Sequence, residues 1–173
     1  MEWTSVRRCV RRAWSSSNRG LTLIELLVTL VILSILAAAA VPYAELAVRR
    51  DKEMELRRAL RQVRTAIDEF HDDWREGGIS KTGDGVSDDG FPKTLAVLVE
   101  GVEVGDAKGG TRKYLRRIPR DPFAEVTVDP AEQWSLRGYQ DETDARSWNR
   151  VDVYDIRTTS EGTAIDGTAY QNW

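Results

Sequence analysis

The chain has 173 residues, 41% hydrophobic and 31% charged, which excludes a disordered chain and a multispan membrane protein and leaves room for one domain plus an anchor. Its formal net charge of −3 is unevenly spread: residues 1–20 hold Arg7, Arg8, Arg11, Arg12 and Arg19 against Glu2, a net of +4, leaving −7 for the rest. An acidic body argues against nucleic acid as a partner, because phosphate binding needs clustered Lys and Arg. The single cysteine, Cys9, lies in the basic head, so a chain without that head has no disulfide, no cysteine-ligated metal and no thiol nucleophile.

The head leads into Leu21–Val41, 21 residues in which Glu25 is the only charge. As a helix this run reaches roughly 30 Å, one bilayer core. Arginines precede it, and Arg49, Arg50 and Lys52 mix with Glu45, Asp51, Glu53 and Glu55 after it. The positive-inside rule then puts residue 1 in the cytoplasm and the body outside it. A secretory signal peptide cleaved near Ala38-Ala39-Ala40 and a plain membrane anchor both fit the hydropathy. Neither accounts for Glu25: an isolated acid at the centre of a membrane helix costs roughly 2.5–3.5 kcal/mol, and even near the helix start it asks for a partner. Neither calls for Gly20 directly before Leu21.

Gly20, then Leu21-Thr22-Leu23-Ile24-Glu25-Leu26-Leu27-Val28, behind a basic leader and inside an apolar run, resembles the prepilin cleavage motif of type IV pilins and type II secretion pseudopilins. The resemblance implies that residues 1–20 are a leader, cut between Gly20 and Leu21 by a membrane aspartyl prepilin peptidase, with N-methylation of the new Leu21 amine. Leu21 stands where Phe or Met is commoner. An assembly role for Glu25 is implied too: its carboxylate would pair with the Leu21 amine of a neighbouring subunit, two charges costly alone and tolerable together.

Residues 21–42 form the apolar fibre-core helix on this reading, and Pro42 is expected to bend it. From 43 to 76 a helical pattern resumes. Leu56, Leu60, Val63, Ile67, Phe70 and Trp74, spaced 4, 3, 4, 3 and 4, make one apolar stripe, with Arg57, Arg58, Arg61, Asp68, Glu69 and Asp72 on the solvated flank. His71, beside Asp72 and Asp73, reads as a surface residue rather than a metal ligand. Gly77-Gly78 ends the helix. In the body, residues 77–173, a loop over 77–90 precedes a short helix beginning near Pro92, a second loop (105–113) and a proline bend over Tyr114–Phe123. Candidate antiparallel strands follow at Glu125–Val128, Gln133–Tyr139 and Val151–Arg157. The expected fold class is α+β: a long N-terminal helix packed on a small antiparallel sheet.

Phe91-Pro92, Leu95-Ala96-Val97-Leu98, the stretch Tyr114-Leu115-Arg116-Arg117-Ile118-Pro119-Arg120-Asp121-Pro122-Phe123 and the tail Val153–Trp173 are similar in layout to the major pseudopilin of type II secretion. The resemblance implies a structural, non-enzymatic subunit, single-pass in the inner membrane with its C-terminal domain in the periplasm. It would self-assemble with other pseudopilins into a short helical fibre that drives protein export across the outer membrane, served by an inner-membrane platform and an assembly ATPase. A pilin or minor pilin of a type IV pilus is the alternative, against which the missing C-terminal cysteine pair argues. An exported enzyme or binding domain behind a signal peptide is more remote: there is one His, no thiol beyond the head and no nucleophile motif.

Family members also imply calcium in the C-terminal loop, here shortened to Ser160–Gly167, with Asp166 the counterpart and Glu161 and Ser160 partial substitutes. The competing expectation is a tight loop held by Asp166 accepting backbone N–H bonds, with Tyr170 and Trp173 packed on the sheet. Arg112, Lys113, Arg116, Arg117 and Arg120 form the dense basic patch of the body. It is expected to pair with acidic faces of neighbouring subunits or to be solvated; with no aromatic stacking platform interleaving these charges, no nucleic acid is expected.

Overall fold

The computed structural model describes residues 20–105, 109–145 and 147–173. The arginines and Cys9 of the head lie outside the described residues. The chain divides into two compact units, the first ending at Tyr43 and the second running from Ala44 to Trp173.

Helix α1, Leu23–Glu76, contributes to both units. In the first, every residue from Gly20 to Tyr43 is exposed, Leu23 at 82%. The polar side chains there turn inward on their own backbone: Thr29 donates its hydroxyl to the Leu26 carbonyl (2.9 Å) and Ser34 to that of Leu30 (2.8 Å), so neither presents an unsatisfied group to an apolar surrounding. The helix continues through Pro42, whose ring nitrogen cannot donate to the Ala38 carbonyl.

In the second unit the apolar stripe does what its period demands. Leu56, Leu60, Val63, Ile67 and Phe70 are buried, joined by Ala59 and Ala66, while the charged flank residues are exposed. The helix stops at Gly77, which takes φ +80°, a conformation open to a residue without Cβ. Gly77 N–H donates to the Trp74 carbonyl (3.3 Å) and Gly78 N–H to that of Asp73 (2.8 Å), the paired closure of a Schellman end.

After α1 come α2 (Leu95–Glu100), β1 (Val102–Glu103), β2 (Thr111–Arg112), β3 (Trp134–Arg137), β4 (Asp155–Thr158) and a terminal 3₁₀ turn at Tyr170–Asn172, and all but the exposed β2 give residues to the core built on the stripe. The strands form two antiparallel ladders, β1 with β2 and β3 with β4, the latter in register from Trp134↔Thr158 to Arg137↔Asp155. The α+β expectation stands, with two corrections. Glu125–Val128 is a turn and not a strand, because the Gln133 amide donates to the carbonyls of Glu125 (3.1 Å) and Val128 (2.9 Å) that a ladder would otherwise use. The stretch 105–113, read as loop, instead supplies β2, which pairs with Val102–Glu103.

The proline bend is locked to the β3–β4 ladder by Asp121, only 3% exposed. Its carboxylate accepts from the Phe123 N–H (2.8 Å) and the Thr158 hydroxyl, and its own N–H donates to Gln133 (3.0 Å). Trp134 Nε1 donates to the Pro119 carbonyl alongside (3.0 Å). Asp121→Ala strands two buried donors, each costing about 1–3 kcal/mol, so the expected loss is about 3 kcal/mol. Urea unfolding checks it: the midpoint falls while the slope stays unchanged.

Candidate processing segment and C-terminal clasp

Gly20 and Leu21 precede α1, outside any regular element, and are exposed. A Cβ built on Gly20 meets nothing within 4 Å, so no contact of the fold requires glycine there. Thr22 caps the helix: its Oγ1 accepts the Glu25 N–H (3.2 Å) and its carbonyl accepts the Leu26 N–H (3.1 Å). Glu25 thus sits in the first turn, where the helix dipole favours a carboxylate. Sequence reasoning missed the role of Thr22, although Thr-x-x-Glu is the spacing of a capping box. None of the ion pairs among the described residues involves Glu25. Chemically the segment offers an exposed Gly–Leu peptide bond free of side-chain obstruction on its acyl side. Hydrolysis there would leave a cationic amine at the N-terminal end of the same helix that carries Glu25.

The second arrangement is a clasp between α1 and the tail. Glu53 is 9% exposed and accepts from the Tyr170 hydroxyl (2.8 Å) and the Ile165 N–H (2.9 Å). Arg49, 3.7 Å from Glu53, donates to the Tyr170 oxygen (3.3 Å) and to the Thr163 carbonyl. Arg57 pairs with Asp166 (3.2 Å) and stacks over the Trp173 ring at 4.0 Å. Arg64 reaches Asp155 (2.7 Å), the Ile156 carbonyl (3.0 Å) and the Trp173 main-chain oxygen (2.7 Å). Burial, with the Glu53 carboxylate beside it, raises the Tyr170 pKa against the lowering pull of Arg49. Bonds from Thr168, and then Arg57, lower that of Asp166.

The three residues expected to hold calcium are not brought together as ligands. Asp166 is spent on the Thr168 N–H (2.9 Å), the Thr168 hydroxyl (2.6 Å) and Arg57. The Ser160 hydroxyl accepts from Gly162 N–H (3.4 Å), and Glu161 is exposed. Among the described residues no group of three or more His, Cys, Asp or Glu could hold a metal ion. Calcium asks for six to eight oxygens, and this donor set does not fit it. The tail instead takes the form of the tight loop, with Tyr170 stacked on Phe123 (4.4 Å between centroids) and edge-on to Trp173.

Two other expectations change. His71 is half-buried and not a surface residue: its ring stacks 4.2 Å from Phe91 and 5.7 Å from Trp74, and Nδ1 lies 3.2 Å from the Gly90 carbonyl. Neighbouring Asp73 is buried, accepting from Arg112 (2.6 Å) and the Tyr114 hydroxyl (2.7 Å); burial, then this bond, pushes the Tyr114 pKa up. The basic patch therefore has intrachain partners for Arg112 and for Arg120, which donates to the Val126 carbonyl (2.8 Å). The clasp was legible in principle, since stepping back from Leu56 by 3 and then 4 lands on Glu53 and Arg49, charged positions on a buried stripe.

Residues 15–41 match the prokaryotic N-terminal methylation motif, a type IV pilin-like signal. A motif of this class implies prepilin peptidase processing and fibre assembly in general terms, and it marks the exposed apolar helix as a membrane anchor. Neither the comparison with curated proteins nor that with solved structures gives a match.

Proposed function

We propose that this chain is a pseudopilin: a structural subunit of a type II secretion system, cut between Gly20 and Leu21, methylated on Leu21, held in the inner membrane by residues 21–42 and assembled with other pseudopilins into a short periplasmic fibre that drives protein export. The observation carrying this reading is the pairing of an exposed, sterically unneeded Gly20 with a Glu25 that has no cation partner among the described residues, at the head of a wholly exposed apolar helix. Burial of that helix against its copies supplies the cohesion, and the Leu21 amine of one subunit neutralises Glu25 of the next. The inner-membrane platform and assembly ATPase supply the work. Support for the secretion fibre over a pilus comes from the Tyr114–Phe123 layout and from a tail closed without a disulfide, by the clasp.

The test is the mass of the N-terminal peptide from protein taken from its native membrane, together with an export assay. Expected are N-methyl-Leu21 at the start and, on deletion of the chain, loss of export across the outer membrane. A start after the alanine run, or intact Met1, overturns the fibre-subunit reading; correct processing with intact export and lost surface pili assigns the chain to a pilus.

A further inference from the structure

The second unit opens at Ala44, and the first turns of its helix border an open groove of about 590 Å³. Ala44, Val48, Phe123 and Tyr170 make its lining mainly apolar, and Glu45 and Lys52 are its exposed charges. Arg49 also lines it, but its guanidinium is engaged by Glu53, Tyr170 and Thr163. No ion pair among the described residues includes Glu45 or Lys52. Lys52 Nζ lies 5.8 Å from the centroid of the Phe123 ring, so a cation adjoins the apolar surface. Glu45 and Lys52 are seven residues apart, about 10.5 Å along one helix face, a gap that two flexible stems can close around a small zwitterion.

Covalent geometry places this groove's first residue. Ala44 is three residues beyond Val41, the end of the apolar run, so their Cα atoms lie within about 11 Å of each other. With the run in a bilayer, Ala44 and Glu45 fall in the headgroup layer, beside Tyr43, an exposed aromatic of the kind that favours that layer.

We propose, resting on the membrane-anchored state above, that the groove binds one phosphatidylethanolamine-class lipid: phosphate on Lys52, ammonium on Glu45, and the glycerol ester region against Val48 and Phe123. A primary ammonium donates hydrogen bonds to a carboxylate, which a trimethylammonium cannot do. A phosphatidylglycerol headgroup offers no cation to Glu45 at all. The groove therefore selects ethanolamine over choline and glycerol headgroups.

Native mass spectrometry of the full chain in detergent, offered phosphatidylethanolamine, phosphatidylcholine or phosphatidylglycerol with matched acyl chains, tests this. Expected is one retained ethanolamine lipid, favoured about fivefold over the others, the factor one well-placed charge contact supplies. Glu45→Gln should bring that ratio close to one, Lys52→Gln should lower retention of all three lipids together by about fivefold, and Arg75→Gln should change neither. Both groove residues are exposed, and a melting curve confirms that the variants fold. Flotation of the wild type with lipid vesicles reads the membrane-anchored state separately, and failure to float overturns both readings. Flotation with equal retention of the three lipids, a ratio that Glu45→Gln leaves unchanged, or a retention that Lys52→Gln leaves unchanged, overturns the groove alone. Lipid-free dimers that these substitutions dissolve would assign the groove to a second copy and overturn it as well.

Discussion

Replacing Gly20 with valine should leave the chain at full length in the membrane, with no Leu21 amine formed and no change in the stability of the body. The expectation is sharp because glycine has no structural duty there. A Cβ at this position meets nothing within 4 Å, the residue precedes the helix, and Thr22 supplies the cap. A valine therefore costs the fold nothing, and what it changes is the access of a peptidase to the acyl side of the Gly20–Leu21 bond. Intact mass reads the result: product shortened by residues 1–20 should fall below detection, while the melting temperature of the body stays put. Assembly should vanish with processing, since without the amine Glu25 loses the cation proposed to neutralise it in an apolar stack. A Gly20→Val chain that is still cut before Leu21 would sink the proposed processing route.

The second large effect is expected at Glu53. Glu53→Ala removes the acceptor for the Tyr170 hydroxyl and the Ile165 N–H and leaves Arg49 without its carboxylate. Stranding these groups should cost about 3–4 kcal/mol. For a body of this size that corresponds to a melting temperature lower by about 10–15 °C. Tyr170→Phe, which loses only the hydroxyl, should cost less, and the double substitution should be less than additive because both changes break one bond. The same measurement probes the metal question. With Asp166 already held by Thr168 and Arg57, neither calcium nor a chelator should move the wild-type transition; a specific ligand would raise it by mass action. A rise of several degrees with calcium would show that the tail is closed by metal and not by the clasp.

What the sequence by itself determined is whatever depends on neighbours along the chain. Gly20 to Glu25 was legible because the motif is a matter of residue types at fixed spacing along the chain, which needs no distant contact. The stripe from Leu56 to Phe70 was legible because a helix repeats every 3.6 residues, and its buried and exposed faces follow from that period. Gly77 as the stop and Tyr114–Phe123 as an irregular bend were legible from backbone restrictions of single residue types.

Only the tertiary structure decided the rest. Glu125–Val128 alternates like a strand, but the Gln133 amide takes its carbonyls. His71 is drawn off the surface by stacking on Phe91, and Asp73 is buried because Arg112 and Tyr114 arrive to satisfy it. Glu53 and Tyr170 meet across 117 residues, Arg57 and Asp166 across 109. A polar group is buried only when a partner is delivered to it, and here each partner comes from a distant segment brought by packing on the α1 stripe. Local patterns show which residues want burial; they do not show which distant donor or acceptor makes a buried charge affordable.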